Sequence, residues 1–206
     1  MKIALTGGIA CGKSLLSQFL TELGVETLDA DDVVHEIIPD PAERRRIAAE
    51  VFADPAKRKE LEAKIHPIVK ERIDEWLENR TAGTSGTGAS PSSHTGSASP
   101  HAKNSYNPSI CQSVNLKIAV IPLLFEVHWE KNFDIISCVV SKRESQIDRM
   151  VTTRLMTRAE AEARLAAQLP VEEKAKRSHY VIHNDGSPEE LKAKAKAFVD
   201  WLRAKL

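Results

Sequence analysis

A three-layer α/β domain built on a five-stranded parallel sheet is the fold class that this sequence predicts. Three observations predict it. The apolar run at 2–6 enters a Gly-rich turn and then an amphipathic stretch, and a second apolar run follows, which is the order of a βαβ unit. Three more short apolar runs appear later, the last two each followed by a helical pattern. The chain has 206 residues, 42% of them hydrophobic and 28% charged, which suits one such domain with a sizeable core.

Each element has its own signal. Residues 2–6 read as a buried strand stopped by glycines. Residues 14–23 place Leu15, Leu16, Phe19, Leu20 and Leu23 at helical spacing, and Gly24 stops them. Residues 25–28 make the second strand. A helix is expected over 32–38, ending at Pro39-Asp40-Pro41, and another over 42–52. Asp54-Pro55 then opens a helix with proline at its first position, continued over 57–65. His66-Pro67 is expected to interrupt it, and residues 68–80 to resume with Ile73, Trp76 and Leu77 on one face.

Residues 81–113 differ in composition. They hold four of the nine glycines, three prolines, nine serines and one charged residue, Lys103. Such a segment buries too little apolar surface to offset its ordering entropy, so a flexible Ser/Gly-rich insertion is expected. The third and fourth strands are expected at 116–121 and 133–140, and a helix at 144–155. Thr157 and Glu160 have capping-box spacing and open a helix to Leu169, which Pro170 ends. The fifth strand is 180–182. Ser187-Pro188-Glu189-Glu190 repeats the box and opens a last helix to about Leu206. The chain has no internal repeat.

Composition narrows the function. Lys+Arg and Asp+Glu are both 29, so bulk charge gives no support for a nucleic-acid partner. A local basic patch facing an anionic small molecule stays open. Three scattered cysteines make no disulfide framework and no CxxC pair, which suggests a reducing compartment. No run nears the roughly 18 apolar residues of a membrane span. No signal peptide fits ahead of the first strand. A soluble, cytoplasmic protein with no membrane partner is expected.

The chemistry concentrates at sheet ends. Gly7, Gly12, Lys13 and Ser14 match G-x-x-x-x-G-K-[ST], with a strand before and a helix after. Glycines let the backbone wrap a phosphate and aim N–H groups at it, and the helix N-terminus adds partial positive charge. Gly8, Ile9, Ala10, Cys11, Gly12, Lys13 and Ser14 are therefore expected to cradle a nucleoside triphosphate. Lys13 should reach the β- and γ-phosphates, and the Ser14 hydroxyl should ligate Mg²⁺. Cys11 contributes backbone in this reading. A DxxG or NKxD-type base reader is missing, which counts against a GTPase switch.

Asp29-Ala30-Asp31-Asp32 follows the second strand, at the edge where α/β sheets bind ligands. A carboxylate beside the γ-phosphate suits one task, accepting the proton of an attacking hydroxyl. Asp31 is assigned that task, and Asp32 the capping of the next helix. Pro122-Leu123-Leu124-Phe125-Glu126 follows the third strand, and Glu126 there could serve the Mg²⁺ shell or the acceptor. Arg149, Arg154, Arg158 and Arg164 fall in the helix pair after the fourth strand, where a lid needs guanidinium groups.

Together these segments resemble the dephospho-coenzyme A kinases. The matching residues are Leu5-Thr6-Gly7-Gly8-Ile9 with Gly12-Lys13-Ser14, Leu28-Asp29-Ala30-Asp31, Leu61-Glu62 with His66-Pro67, and Pro122 to Glu126. Gln146 with Arg149, Arg164 with Gln168, and Asn184-Asp185-Gly186 complete the set. The resemblance spans nearly the whole chain except the insertion. It implies a three-layer P-loop kinase fold as one domain, 1–206, with a helical acceptor-binding subdomain over 31–80 and a lid over 142–170. It implies ATP- and Mg²⁺-dependent phosphorylation of the ribose 3′-hydroxyl of dephospho-CoA, the last step of coenzyme A biosynthesis. Asp31 would be the base, with Lys13 and Arg154 acting on the phosphates. Leu15, Arg149 and Asn184 would join the nucleotide site, the last in a turn near adenine. Thr6, Asp31, His66, Leu123 and Glu126 would border the acceptor. The protein would be a monomer or weak homo-oligomer.

The sequence departs from the family in places. Leu15 stands where the family usually has Thr, and the stretch from 38 to 51 is shorter than usual. Two other readings stay open. One is a kinase of another hydroxylated metabolite, of shikimate or gluconate type, against which His66-Pro67 and the Pro122–Glu126 segment argue. The other is a non-catalytic nucleotide-dependent binding protein, against which the intact Lys13, Ser14 and Asp31 argue.

Overall fold

The structure, a computed structural model, describes residues 1–79 and 115–206. The sheet is β1 (Ile3–Gly7), β2 (Glu26–Asp29), β3 (Lys117–Val120), β4 (Ile135–Val140) and β5 (Tyr180–His183). It runs in the order β2-β3-β1-β4-β5, and every pair is parallel. The wholly buried β1 lies at the centre, with Ala4 between Ala119 and Ile136. The five strands predicted from apolar runs are these five, with ends shifted by one or two residues.

Side chains on a strand alternate between faces, and the two faces build two cores. Ile3 and Leu5 join Leu16 and Leu20 of α1 (Lys13–Glu22) and Leu191, Phe198 and Leu202 of α8 (Pro188–Arg203). Tyr180 and Trp201 close this side, 4.8 Å apart between ring centroids. Ala4, Ala119 and Ile136 face the other way. They are covered by Val33 of α2 (Ala30–Ile37), by Val69 and Ile73 of α4 (Pro55–Glu78), and by Leu124 and Phe125 after β3. Helix, sheet, helix gives the three layers.

Two expectations are corrected. His66-Pro67 does not interrupt the helical region; α4 is one helix of 24 residues with Pro67 inside it. Proline removes the hydrogen bond to the carbonyl four residues back and costs about 3 kcal/mol or more. Ile65, Val69, Ile73 and Leu77, each four residues from the next, all pack on the same core. Full burial of a side chain such as Val69 or Ile73 is worth about 1.5–3 kcal/mol, so the stripe that continues across Pro67 outweighs the break. Next, α6 (Arg158–Ala166) ends before Leu169, and α7 (Val171–Lys176) follows where no element was expected. Pro170, read as a terminator, is the N-cap of α7.

Other signals hold. Thr157 and Glu160 make both arms of the capping box. Ser187 accepts from the Glu190 N–H at the start of α8. A helix predicted over 42–52 is α3 (Pro41–Ala53), capped by Asp40, and the helix after β4 is α5 (Arg143–Arg154). The insertion expected at 81–113 lies outside the described residues. No helix among the described residues is long and apolar enough to cross a membrane.

Candidate active site

The loop after β1 is shaped by backbone that only glycine fits at two points. Gly7 has φ +151°, and a Cβ there would lie 2.4 Å from the Val139 carbonyl oxygen. Gly12 has φ +89°, and a Cβ would lie 2.2 Å from Asn184 Nδ2. No side chain caps the start of α1 at Gly12. The first N–H groups of that helix therefore remain available to an anion.

Residues remote in sequence hold the loop. Asn184 Nδ2 donates to the Cys11 carbonyl at 2.8 Å. Arg149 donates to the Ala10 carbonyl (3.1 Å), to Ser141 Oγ (2.9 Å) and to the Asn184 carbonyl (2.7 Å). The Ile9 N–H donates to Gln168 Oε1 at 3.2 Å. Ile9 and Ala10 also pack against Ile147, Met150 and Ala161 of α5 and α6. Cys11 is fully buried, and burial pushes its thiol up, so only its backbone serves the loop.

A cleft of about 360 Å³ opens at the carboxyl ends of β1 and β2. Ile9, Ala10, Gly12, Lys13, Ser14, Asp31, Arg149 and Arg154 line it as expected, and Asp29, Pro122, Thr153 and Gln168 join them. Lys13 Nζ donates to the Gly7 and Gly8 carbonyls at 3.0 and 2.9 Å. Burial pushes its ammonium below the ordinary lysine range; the charge of Lys174 acts in the same direction, and that of Asp29 opposes it. Asp31 is exposed in the first turn of α2.

The cap of that helix is a correction: Asp29, not Asp32, accepts the Asp31 N–H, at 2.9 Å. Asp29 ends β2, so it alone has the extended backbone that an N-cap requires. Burial raises its carboxyl above the ordinary range, and the capping bond partly offsets this. Of the four arginines expected in a lid, Arg149 and Arg154 line the cleft. Arg158 pairs instead with Glu144, at 3.0 and 2.8 Å to its two oxygens, and with Glu162. Arg164 is exposed on α6 and lies outside the cleft lining.

The residues expected at the acceptor lie around and beyond this cleft. Thr6 is buried and its hydroxyl donates to the Pro122 carbonyl at 3.3 Å. Leu123 is exposed, and His66 meets the Trp129 ring edge-on at 5.7 Å. Glu126 turns inward: its Oε1 accepts from Lys174 Nζ at 2.7 Å and from the Leu169 N–H at 3.1 Å. Leu15 packs against the core of α1 and α8, and Asn184 sits beneath the loop, so neither side chain lines the cleft. Gly8 and Cys11 likewise lie outside the cleft lining. Sequence reading gave no role to Lys174, and to Asp29 only membership of the acidic cluster. Asp29 had a signal, since a carboxylate at a strand end before a helix is a natural cap. Lys174, in Val-Glu-Glu-Lys-Ala-Lys, looks like any surface lysine.

Comparison with known proteins agrees with the geometry. The profile of the family described as dephospho-CoA kinase matches residues 1–43 and 100–190. A dephospho-CoA kinase of Synechococcus sp. (strain JA-3-3Ab) is 38% identical, over 94% of this chain and 89% of its own. The crystal structure of TT1252 from Thermus thermophilus is similar, with TM-score 0.69 and 29% identity over 98% of this chain and 97% of that one. A dephospho-CoA kinase from Campylobacter jejuni shares the fold, with TM-score 0.64 and 20% identity over 100% of both chains. A braced phosphate loop facing two carboxylates, on a chain related end to end to these proteins, leads to one assignment: the chain belongs to the dephospho-CoA kinase family.

Proposed function

We propose that this cleft transfers the γ-phosphoryl group of ATP to the ribose 3′-hydroxyl of dephospho-CoA. The family reaction, phosphorylation of dephospho-CoA to CoA, completes coenzyme A biosynthesis. The observation that carries the residue-level reading is that Lys13 and Asp31 line one cleft, across which a nucleotide and an acceptor can meet. Membership of this family weighs against the shikimate- and gluconate-type alternative. The intact pair weighs against a purely binding role.

The roles follow from position. N–H groups of the loop and of the start of α1 receive the phosphates. Lys13 leaves its two carbonyl partners for the β- and γ-phosphates. Asp31 accepts the proton of the 3′-hydroxyl as that oxygen bonds to phosphorus and the bond from phosphorus to the ADP oxygen breaks. Arg154, at the end of α5, offsets charge on the transferred group, while Arg149 keeps the loop in shape. Ser14, Asp29 and Asp31 supply one hydroxyl and two carboxylates to the cleft lining, and a set this sparse fits Mg²⁺, which keeps water and phosphate ligands. Held by Ser14 and the nucleotide, Mg²⁺ would neutralise phosphate charge.

The test is a substrate panel. Purified protein with Mg²⁺-ATP is offered dephospho-CoA, shikimate, gluconate and nucleosides. Turnover of dephospho-CoA is expected; turnover of another acceptor without it would overturn the proposal.

A further inference from the structure

Lys174 is the only Lys, Arg, Asp or Glu among the described residues that is fully buried. A charge in that position is costly unless its partners are well placed, and an apolar side chain of the same volume would often serve stability as well or better. Its partners belong to one segment. The ammonium donates to Glu126 Oε1 at 2.7 Å and to the Pro122 carbonyl at 3.0 Å. Pro122 is a wall of the cleft, and the same carbonyl accepts from Thr6 at the end of β1.

Glu126 carries the connection further. Its Oε1 also accepts from the Leu169 N–H, and the preceding Gln168 accepts from the Ile9 N–H of the phosphate loop. A continuous set of contacts thus runs from the loop through the root of the lid to Glu126, Lys174 and the cleft wall. Glu126 Oε2 is buried with no protein partner, which adds to the cost of burying the pair.

We propose that Lys174 is a positioning residue for phosphoryl transfer: paired with Glu126, it fixes the Pro122 wall and the lid root against the phosphate loop. This inference rests on the kinase reading of the cleft. The cation also bears on Lys13, whose proton affinity it lowers. Misplacement by about 1 Å can cost about a hundredfold in rate, which sets the scale of the effect.

The test compares Lys174→Met with the double variant Lys174→Met/Glu126→Gln. Each is assayed for kcat, for KM of dephospho-CoA, for ATP affinity by direct binding, and for Tm. Lys174→Met leaves Glu126 uncompensated, so a lower Tm and a fall in kcat of about 10- to 100-fold are expected, with ATP affinity within about threefold. The double variant removes both charges and keeps an acceptor for Leu169. Its Tm should return toward wild type while kcat stays low. Recovery of kcat together with Tm, or a wild-type kcat per folded molecule in either variant, would overturn the inference. If Lys174→Met does not fold, the double variant supplies the same reading. Wild type run alongside separates the two ideas, because inactivity of wild type on dephospho-CoA counts against the function, not against Lys174.

Discussion

Gly12 and Asn184 offer a quantitative test of how the phosphate loop is held. In Gly12→Ala the new methyl falls 2.2 Å from Asn184 Nδ2 on backbone at φ +89°, so the amide must move. Left-handed backbone costs a non-glycine residue about 1–2 kcal/mol. Moving the amide breaks its 2.8 Å bond to the Cys11 carbonyl, and a buried group left unpaired costs about 1–3 kcal/mol. The sum is about 2–5 kcal/mol. At about 2–4 °C per kcal/mol for a chain of this size, Tm should fall by about 4–20 °C. Asn184→Ala breaks the same bond and should cost about 1–3 kcal/mol. The double variant loses that bond once and has no amide to displace. Its cost should therefore fall short of the sum of the single costs by about 1–3 kcal/mol. Urea unfolding of the nucleotide-free proteins, with unchanged m-values, measures all three. Additivity within about 0.5 kcal/mol would refute the idea that Asn184 and Gly12 share one contact.

Two further outcomes test the carboxylates. Asp31→Asn removes the proposed base and keeps the side chain's shape, so single-turnover rates should drop about 10²- to 10⁴-fold while ATP affinity stays within about twofold; a near-normal rate would exclude the role. Asp29→Asn keeps an equally good helix cap but removes a carboxylate whose folded-state pKa burial raises. Below the unfolded value of about 3.9 both states are protonated and the variant should match wild type. As pH rises through the raised folded value, wild type loses stability that the Asn variant keeps. The variant should therefore melt higher at pH 7, and the gap should close in acid; an offset independent of pH would contradict this.

What could be read in advance was local. The Gly7–Ser14 pattern, the Thr157–Glu160 box and the apolar strands each lie within a few residues, where backbone preference and side-chain period act. Pro67 misleads a local reading because its penalty is real, while the stripe from Ile65 to Leu77 acts only against a sheet assembled from elsewhere. The six residues of α7 are too few to show a helical period. The braces of the loop were hidden for another reason. Asn184 reaches Cys11 across 173 positions, Gln168 reaches Ile9 across 159, and Arg149 reaches Ala10 across 139. The resemblance pointed to Arg149 and Asn184 as nucleotide contacts. The structure gives them carbonyls of the loop itself as partners.

Those partners bear on how a neutral chain can receive a polyanion. Lys+Arg and Asp+Glu balance at 29 each, so attraction must come from local arrangement. Carboxylates pair with cations elsewhere, as Glu144 does with Arg158 on the surface and Glu126 with Lys174 inside. The two anchored cations of the cleft are treated differently. Lys13 rests on the Gly7 and Gly8 carbonyls, and Arg149 on those of Ala10 and Asn184 and on a serine hydroxyl. A neutral oxygen satisfies the donors without cancelling the charge. An arriving phosphate then has no ion pair to break, and it meets cations in a partly desolvated cleft, where their field is stronger than in water. Burial already weakens the hold of Lys13 on its proton, and a bound triphosphate would reverse that by stabilising the ammonium. In the proposed reaction, the cost of the cations in the nucleotide-free protein would thus be recovered on nucleotide binding.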